Sequence, residues 1–372
     1  MAEFGSTSVN HVKKTLPIKK IQGKDLLVDA YFVNSDIPGP RPVILFFHGG
    51  FLISGDSNAV PNWLIKAALR RRWTLVSANY RTLPESSGFE VAEDLLDAFR
   101  YVARSGDGGL SHDLNKPGLV DPSRIIIAGH SGGGYSAVLA TIEIVKRISA
   151  SPEFRKPAAT VAVYPMLDLL SPKWTSEGID LGASRADIEA GRKDLERRLA
   201  SKEISFGERF PDNEADIIYH GRWDLMRYIV KIPLFVNYLT GISDLGKKLA
   251  SAALTSPSYE AAKEETVPPK ARHLFVLDFD NLTSDFPPLF VVHGLADTAV
   301  PFEDSDKLVE KTKTLGIPTR YWRLEGFDHD FDLGYPDLEN ADPEVPETGD
   351  IGQKALRELL QGLDGLLGTS KA

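Results

Sequence analysis

The chain has 372 residues, 42% of them hydrophobic, a net charge of −9 and no cysteine. That length can bury a substantial core, in one large α/β domain or two smaller ones. The acidic balance argues against a nucleic-acid binder, and the lack of any thiol excludes disulfides, thiolate metal sites and cysteine nucleophiles.

The N-terminus, MAEFGSTSVNHVKK, lacks the apolar core of a signal peptide, and no apolar run reaches the ~20 residues that span a bilayer. Residues 1–6 resemble a cloning remnant that would hide a native leader. A cytoplasmic location is the expectation, and with it the sequon Asn281-Leu282-Thr283 reads as an accident.

HVKKTLPIKKI and KDLLVDAYFV, separated by a turn at Gly23, read as the first two strands; the second alternates like a half-buried antiparallel strand. PVILFFH (42–48) is almost continuously apolar, the mark of a strand covered on both faces. It runs into HGGF. Acyl transfer through a tetrahedral intermediate needs N–H donors about 3 Å from the developing oxyanion, and a glycine pair lets the backbone turn its N–H groups inward. Gly50 and Phe51 are the candidate donors, with Gly49 supporting the turn. Alone, HGG is only a glycine-rich strand end.

TLVSANY (74–80) is the fourth strand, and a helix over 89–103 follows the turn at Pro84. RIIIAG (124–129) is the fifth and leads into GHSGGG, then into a helix over 133–149 that is apolar nearly all round. Strand, sharp turn and helix are the context that the G-x-S-x-G nucleophile elbow requires. Ser131 is the candidate nucleophile. Gly129 and Gly133 leave room for a tight backbone, and the N–H of Gly132 supplies a third oxyanion donor at a helix N-terminus.

ATVAVYP (159–165) is the sixth strand. More than a hundred residues then intervene, too many for a loop, and 169–284 is expected to form an inserted helical cap or lid. SRADIEAGRKDLERRLASKE is a charged helix with a seam of Ile188, Leu195 and Leu199. WDLMRYIVKIPLFVNYLTGI is greasier and is broken at Pro233. Leu225, Tyr228, Ile229 and Ile232 share one face of it, followed by Phe235, Tyr238 and Leu239. This face either packs the insertion onto the main domain or walls a pocket over Ser131, with Phe235 and Tyr238 as the candidate pocket residues.

LFVVHG (289–294) and TRYWRLEG (319–326) complete the set of strands, with a helix over 304–315 ending at Gly316 between them. A last helix carries the stripe Leu356, Leu359, Leu360, Leu363 and Leu367. The fold class is therefore α/β: an eight-stranded, mostly parallel sheet with helices on both faces, built from 1–168 and 285–372. VVHGLADTAVPFEDS places Asp297 just past the seventh strand, and EGFDHDF places His329 just past the eighth. A serine needs a general base, and the base needs a carboxylate to fix its tautomer. Ser131, Asp297 and His329 supply them in that order.

Asp328 and Asp330 flank the histidine, but sequence neighbours cannot readily turn to face its ring. His130 and His293 read as structural, and His11, His112, His220 and His273 as ordinary surface or cap residues. The acidic run from Glu325 to Asp350 reads mainly as a solvated loop; any of it near the site would favour imidazolium.

HGGF, GHSGGG, H-G-x-x-D-x-x-V-P and the late histidine together resemble an α/β-hydrolase of the esterase/lipase type, over about 10–168 and 286–368. Within that group the chain is most similar to hormone-sensitive-lipase-like carboxylesterases and their kynurenine-formamidase-like relatives. NYRTLPE (79–85) is similar to the Y-R-L-A-P-E segment of the former. Three features depart from the pattern: Phe51 stands where a third glycine is usual, His130 replaces the aspartate before the serine, and the chain enters directly in strands. Arg81, Glu85 and Asp168 read as structural positions around the site.

The resemblance implies a serine hydrolase with Ser131, Asp297 and His329 as its triad. Its substrate would be a carboxylic ester of a small or medium-sized, apolar or uncharged organic molecule, with no metal or cofactor. Amide, lactone or thioester cleavage would use the same residues. A cyclase or lyase on this fold, or a non-catalytic receptor, is the alternative, because fold does not fix function.

Overall fold

The computed structural model describes residues 11–34, 39–208, 222–339 and 350–368. The strands are β1 (His11–Ile21), β2 (Lys24–Val33), β3 (Arg41–Phe47), β4 (Thr74–Ala78), β5 (Val120–His130), β6 (Ala159–Val163), β7 (Leu289–Gly294) and β8 (Thr319–Leu324). They form one sheet in the order β1-β2-β4-β3-β5-β6-β7-β8. The β1–β2 and β2–β4 pairs are antiparallel and the rest are parallel.

The apolar strand runs have a simple cause. Side chains alternate between faces, and both faces are covered. Val43, Leu45 and Phe47 of β3 enter one core, while Ile44 and Phe46 enter the other; Ile125 and Ile127 of β5 divide from Ile126 and Ala128 in the same way. The described α-helices are α1 (Asn62–Arg70), α2 (Gly88–Ala103), α3 (Leu110–Asp113), α4 (Gly132–Arg147), α5 (Arg185–Ser201), α6 (Trp223–Lys231), α7 (Phe235–Thr240), α8 (Leu245–Ala252), α9 (Tyr259–Thr266), α10 (Glu303–Thr314) and α11 (Ile351–Leu367). Helices α2, α4 and α10 cover the first core, and α1 and α11 the second. All five leucines of the α11 stripe are buried. None of the described helices is long and apolar enough to cross a membrane.

Helices α5 to α9 lie between β6 and β7, where the insertion was expected. Leu225, Met226, Ile229, Phe235 and Leu239 join the same core as α2 and α4. Two expectations fail here: Leu199 and Ile232 are exposed. The seam of α5 turns instead on Leu195 and Gly191, both buried. A Cβ on Gly191 would stand 2.2 Å from the carbonyl oxygen of Asp224, so glycine lets α5 and α6 approach backbone to backbone. The Asn281 side chain is buried and donates to the carbonyls of Arg272 (2.8 Å) and Phe275 (2.9 Å), which leaves no room for a glycan.

Candidate active site

The site assembles at the carboxyl ends of the parallel strands, the usual location in open α/β sheets. Ser131 follows β5 at φ 53° and ψ −124° and stands at the N-cap of α4. That left-handed backbone turns the side chain out of the strand at a strained corner. The corner leaves no space for neighbouring side chains. A Cβ on Gly129 would lie 2.0 Å from the carbonyl oxygen of Gly133, and one on Gly133 would lie 2.0 Å from that of Phe47.

The HGGF loop leaves β3 beside this elbow. Gly50 sits at φ 97°, where a Cβ would meet the Ser54 carbonyl oxygen at 2.2 Å, and Phe51 and Leu52 follow at φ 54° and 58°. The loop folds on itself through N–H bonds of Ile53 and Ser54 to the Gly50 carbonyl, at 2.8 and 2.9 Å. A Cβ on Gly132 would lie 3.0 Å from the backbone nitrogen of Phe51, so loop and elbow are in contact. Among the described residues, the N–H groups of Gly50, Phe51 and Gly132 have no protein acceptor. They are free to serve a ligand. Beneath them the His48 ring stacks on Tyr80, whose hydroxyl donates to the His48 carbonyl at 2.7 Å.

His329 Nε2 lies 3.0 Å from Ser131 Oγ, and His329 Nδ1 lies 2.7 Å from Asp297 Oδ2. The other oxygen of Asp297 accepts the N–H groups of Ala299 (2.9 Å) and Val300 (2.7 Å). Burial by itself would raise the Asp297 carboxyl. The hydrogen bonds from His293 and His329, the charge of His329 and the Val300 N–H overcome it and hold Asp297 well below the usual carboxylate range. Burial likewise works against charging His329, but the charge of Asp330, the bond and charge of Asp297 and the charge of Asp332 prevail, and its pKa is raised. His48 and His130 are pushed down to about 4, chiefly by burial. Near neutral pH they are uncharged, and neither is hydrogen-bonded to Ser131.

The structure thus brings Ser131, His329, Asp297, Gly50, Phe51 and Gly132 together. Phe235 is fully buried and packs on Trp174 at 5.0 Å between ring centroids; Trp174 packs on Phe51 at 6.0 Å, and Tyr238 is half-buried. Asp328 faces away from the imidazole: one of its oxygens accepts the Thr298 N–H (2.8 Å), the Thr298 hydroxyl (2.9 Å) and the His329 N–H (2.7 Å). It pins the Asp297 turn to the His329 loop. Arg81 pairs with Asp94 at 2.9 Å and Asp168 with Lys307, as structural residues would.

The reading of His293 as purely structural is incomplete. Its Nε2 lies 3.2 Å from Asp297 Oδ2 and 3.2 Å from the Val300 carbonyl, and its Nδ1 lies 2.7 Å from Ser305 Oγ. A carbonyl can only accept, so Nε2 carries a proton. His293 is therefore a second donor to Asp297; the H-x-x-x-D spacing of HGLAD was its signal. Of the acidic run, Glu325, Asp328, Asp330 and Asp350 are exposed as a solvated loop would be, but three others are not. Asp332 is fully buried, accepting from the Tyr164 hydroxyl and from Trp63 Nε1 at 2.9 Å, while Asp337 and Glu339 pair with Arg70 of α1 and with Arg71 at its C-cap. His220 and residues 340–349 of that run lie outside the described residues.

The chain has the α/β-hydrolase fold. Residues 44–201 match the family described as the alpha/beta hydrolase fold. An alpha/beta hydrolase superfamily protein from Enterococcus faecalis superposes with a TM-score of 0.57 at 18% identity, covering 96% of this chain and 98% of that one. A bacterial heroin esterase does so with 0.54 at 16% identity, covering 95% and 85%.

Among curated relatives, methylphloroacetophenone synthase of Cladonia uncialis is 28% identical over 330 residues, 85% of this chain but 12% of that protein. Non-reducing polyketide synthase pkbA of Emericella nidulans is 27% identical over 356 residues, 89% of this chain and 13% of its own length. The chain thus spans about an eighth of these two proteins. A probable carboxylesterase M8 of Phoma sp. is 34% identical over 100 residues, 26% of this chain and 31% of that one.

Proposed function

We propose that the chain is a serine hydrolase of the carboxylesterase type that works through an acyl-enzyme on Ser131. One observation carries the reading: Ser131, His329 and Asp297 form a continuous chain at 3.0 and 2.7 Å beside three unspent N–H groups. Ser131 Oγ attacks the carbonyl carbon while His329 Nε2 takes its proton. The oxygen becomes an oxyanion held by the N–H groups of Gly50, Phe51 and Gly132. Collapse breaks the carbon–oxygen bond to the alcohol, which leaves with the proton from His329. Water then attacks the acyl-enzyme, gives its proton to His329, and the acid departs as Ser131 recovers it. No metal or cofactor enters this scheme.

A fluorophosphonate should add one phosphonyl group to Ser131, located by peptide mass spectrometry, and the same treatment should abolish turnover of an ester panel. An unlabelled Ser131 in folded protein would favour the receptor reading. Closed-ring product without free acid would favour the cyclase.

A second reading concerns the bond. Methylphloroacetophenone synthase and the polyketide synthase pkbA align with 85% and 89% of this chain, against 26% for the carboxylesterase M8. That breadth favours a polyketide-like aromatic acyl group, delivered as a thioester, on the same triad. A higher kcat/KM for an aromatic N-acetylcysteamine thioester than for the matching phenyl ester would decide for it.

The pH profile follows from the raised pKa of His329. The base works only when neutral, so kcat/KM should rise with pH through a limb above the ~6.5 of a free imidazole. Asp330 is exposed and sits at φ 57°, a conformation asparagine tolerates. Asp330→Asn, or high salt with the native chain, should move the limb to lower pH. An unmoved limb in both would mean that this charge does not reach the imidazole.

Phe235 and Tyr238 remain the proposed pocket wall of the insertion. Phe235→Ala removes a fully buried ring, and about 3–5 kcal/mol of stability is the expected loss. If the ring also meets substrate, kcat/KM should fall further for a bulky ester than for an acetyl ester. A constant ratio would leave it a packing residue.

A further inference from the structure

Arg222 stands at the start of α6 with its side chain wholly buried, and among the described residues its guanidinium reaches three separate segments. Nε donates to the carbonyl of Ile53 in the HGGF loop. Nη2 donates to the carbonyl of Leu83 at 2.5 Å and to Glu85 Oε2 at 2.9 Å. Nη1 donates to Glu85 Oε1 at 2.7 Å and to Ser205 Oγ at 3.1 Å. Glu85 is itself almost entirely buried and takes a second arginine, Arg198 of α5, at 3.2 Å. Two helices of the insertion therefore grip one carboxylate beside the active-site loop.

These contacts bear on the loop's conformation. Phe51 and Leu52 are consecutive non-glycine residues in the left-handed region, which persists only when the surroundings over-determine it. Two backbone carbonyls on the far side of the loop are held by other segments: that of Leu52 by the Leu83 N–H at 2.8 Å, and that of Ile53 by Arg222. Both lead to the same guanidinium, because Arg222 also holds the Leu83 carbonyl. A planar fork can bind a carboxylate and two carbonyls at fixed angles, whereas an ammonium cannot. A well-packed apolar side chain would often stabilise a buried site as well as an ion pair does, so burial energy alone gives no reason for arginine here.

We propose that Arg222 is a positioning residue for the oxyanion hole: it clamps the Gly50–Ser54 loop to the Leu83–Glu85 segment and so couples the insertion to catalysis. The proposal rests on the hydrolase reading above. Its signature follows from where the oxyanion donors act. They stabilise charge that exists only in the transition state, so a slack loop lowers kcat while leaving substrate binding nearly alone.

The test uses Arg222→Met and Arg222→Lys, assayed on an acetyl ester with active sites counted by fluorophosphonate titration. In the methionine variant kcat per titrated site should fall about 10- to 100-fold with KM within about threefold. The inhibition constant of a phenylboronic acid, which forms a tetrahedral adduct, should weaken in parallel. The lysine variant should recover only part of the loss. Unchanged kcat per titrated site in folded Arg222→Met would overturn the proposal, whatever happens to its melting temperature. Should that variant not fold, Glu85→Gln keeps the arginine and loosens its anchor; the same kcat-selective loss, smaller in size, is expected, and its absence would overturn the clamp equally. Native protein that neither labels nor turns over would instead refute the hydrolase reading.

Discussion

Ser131→Ala is expected to lower ester turnover by roughly 10⁴- to 10⁶-fold while the chain keeps its fold. Alanine meets the same strain at φ 53° that serine does, so the substitution removes the hydroxyl and its bond to His329 and little else. The residual rate would come from the oxyanion donors and from binding. His329→Ala should fall to a similar level, with some loss of melting temperature because its ring packs 4.6 Å from Tyr164. Residues that act as one unit do not add. The double variant should therefore be no slower than either single one. Initial rates per folded molecule, read beside thermal melts, check all three. Turnover near the native level in Ser131→Ala would end the covalent reading.

The site was legible in the sequence because its parts are local. Each comes from a strand end with its own turn chemistry, and the parallel sheet alone brings the four ends together. What was missed depends on contacts between distant segments. Helix α1 is only nine residues long, and its short stripe of Trp63, Leu64, Ala67 and Ala68 offers little periodicity. Missing it also hid the partners of Asp337 and Glu339, which are Arg70 in the last turn of α1 and Arg71 at its C-cap. The seam of α5 was misread for a related reason. Counting leucines cannot reveal that Gly191, by having no side chain, sets the line of contact. Arg222 gave no signal at all, because a buried arginine looks in sequence like any exposed one.

Asp297→Asn should be nearly as damaging as loss of the serine, by about 10⁴-fold in kcat, and the surroundings of the carboxylate say why. Oδ1 accepts the backbone N–H groups of Ala299 and Val300, which cannot turn away. Oδ2 faces His329 Nδ1 and His293 Nε2. An amide must place its oxygen against the two fixed N–H donors, and its NH₂ group then points at His329. Facing a donor, Nδ1 gives up its proton and becomes an acceptor, so the proton of the neutral ring moves to Nε2. That nitrogen can no longer take the proton of Ser131. The nucleophile is left unactivated in an otherwise intact site. Raising the pH cannot repair a wrong tautomer in an already neutral ring, so over the range where native activity has levelled off the variant should stay slow. Recovery there to near-native kcat would show that Asp297 only supplies charge, and would move the tautomer-fixing role to another group.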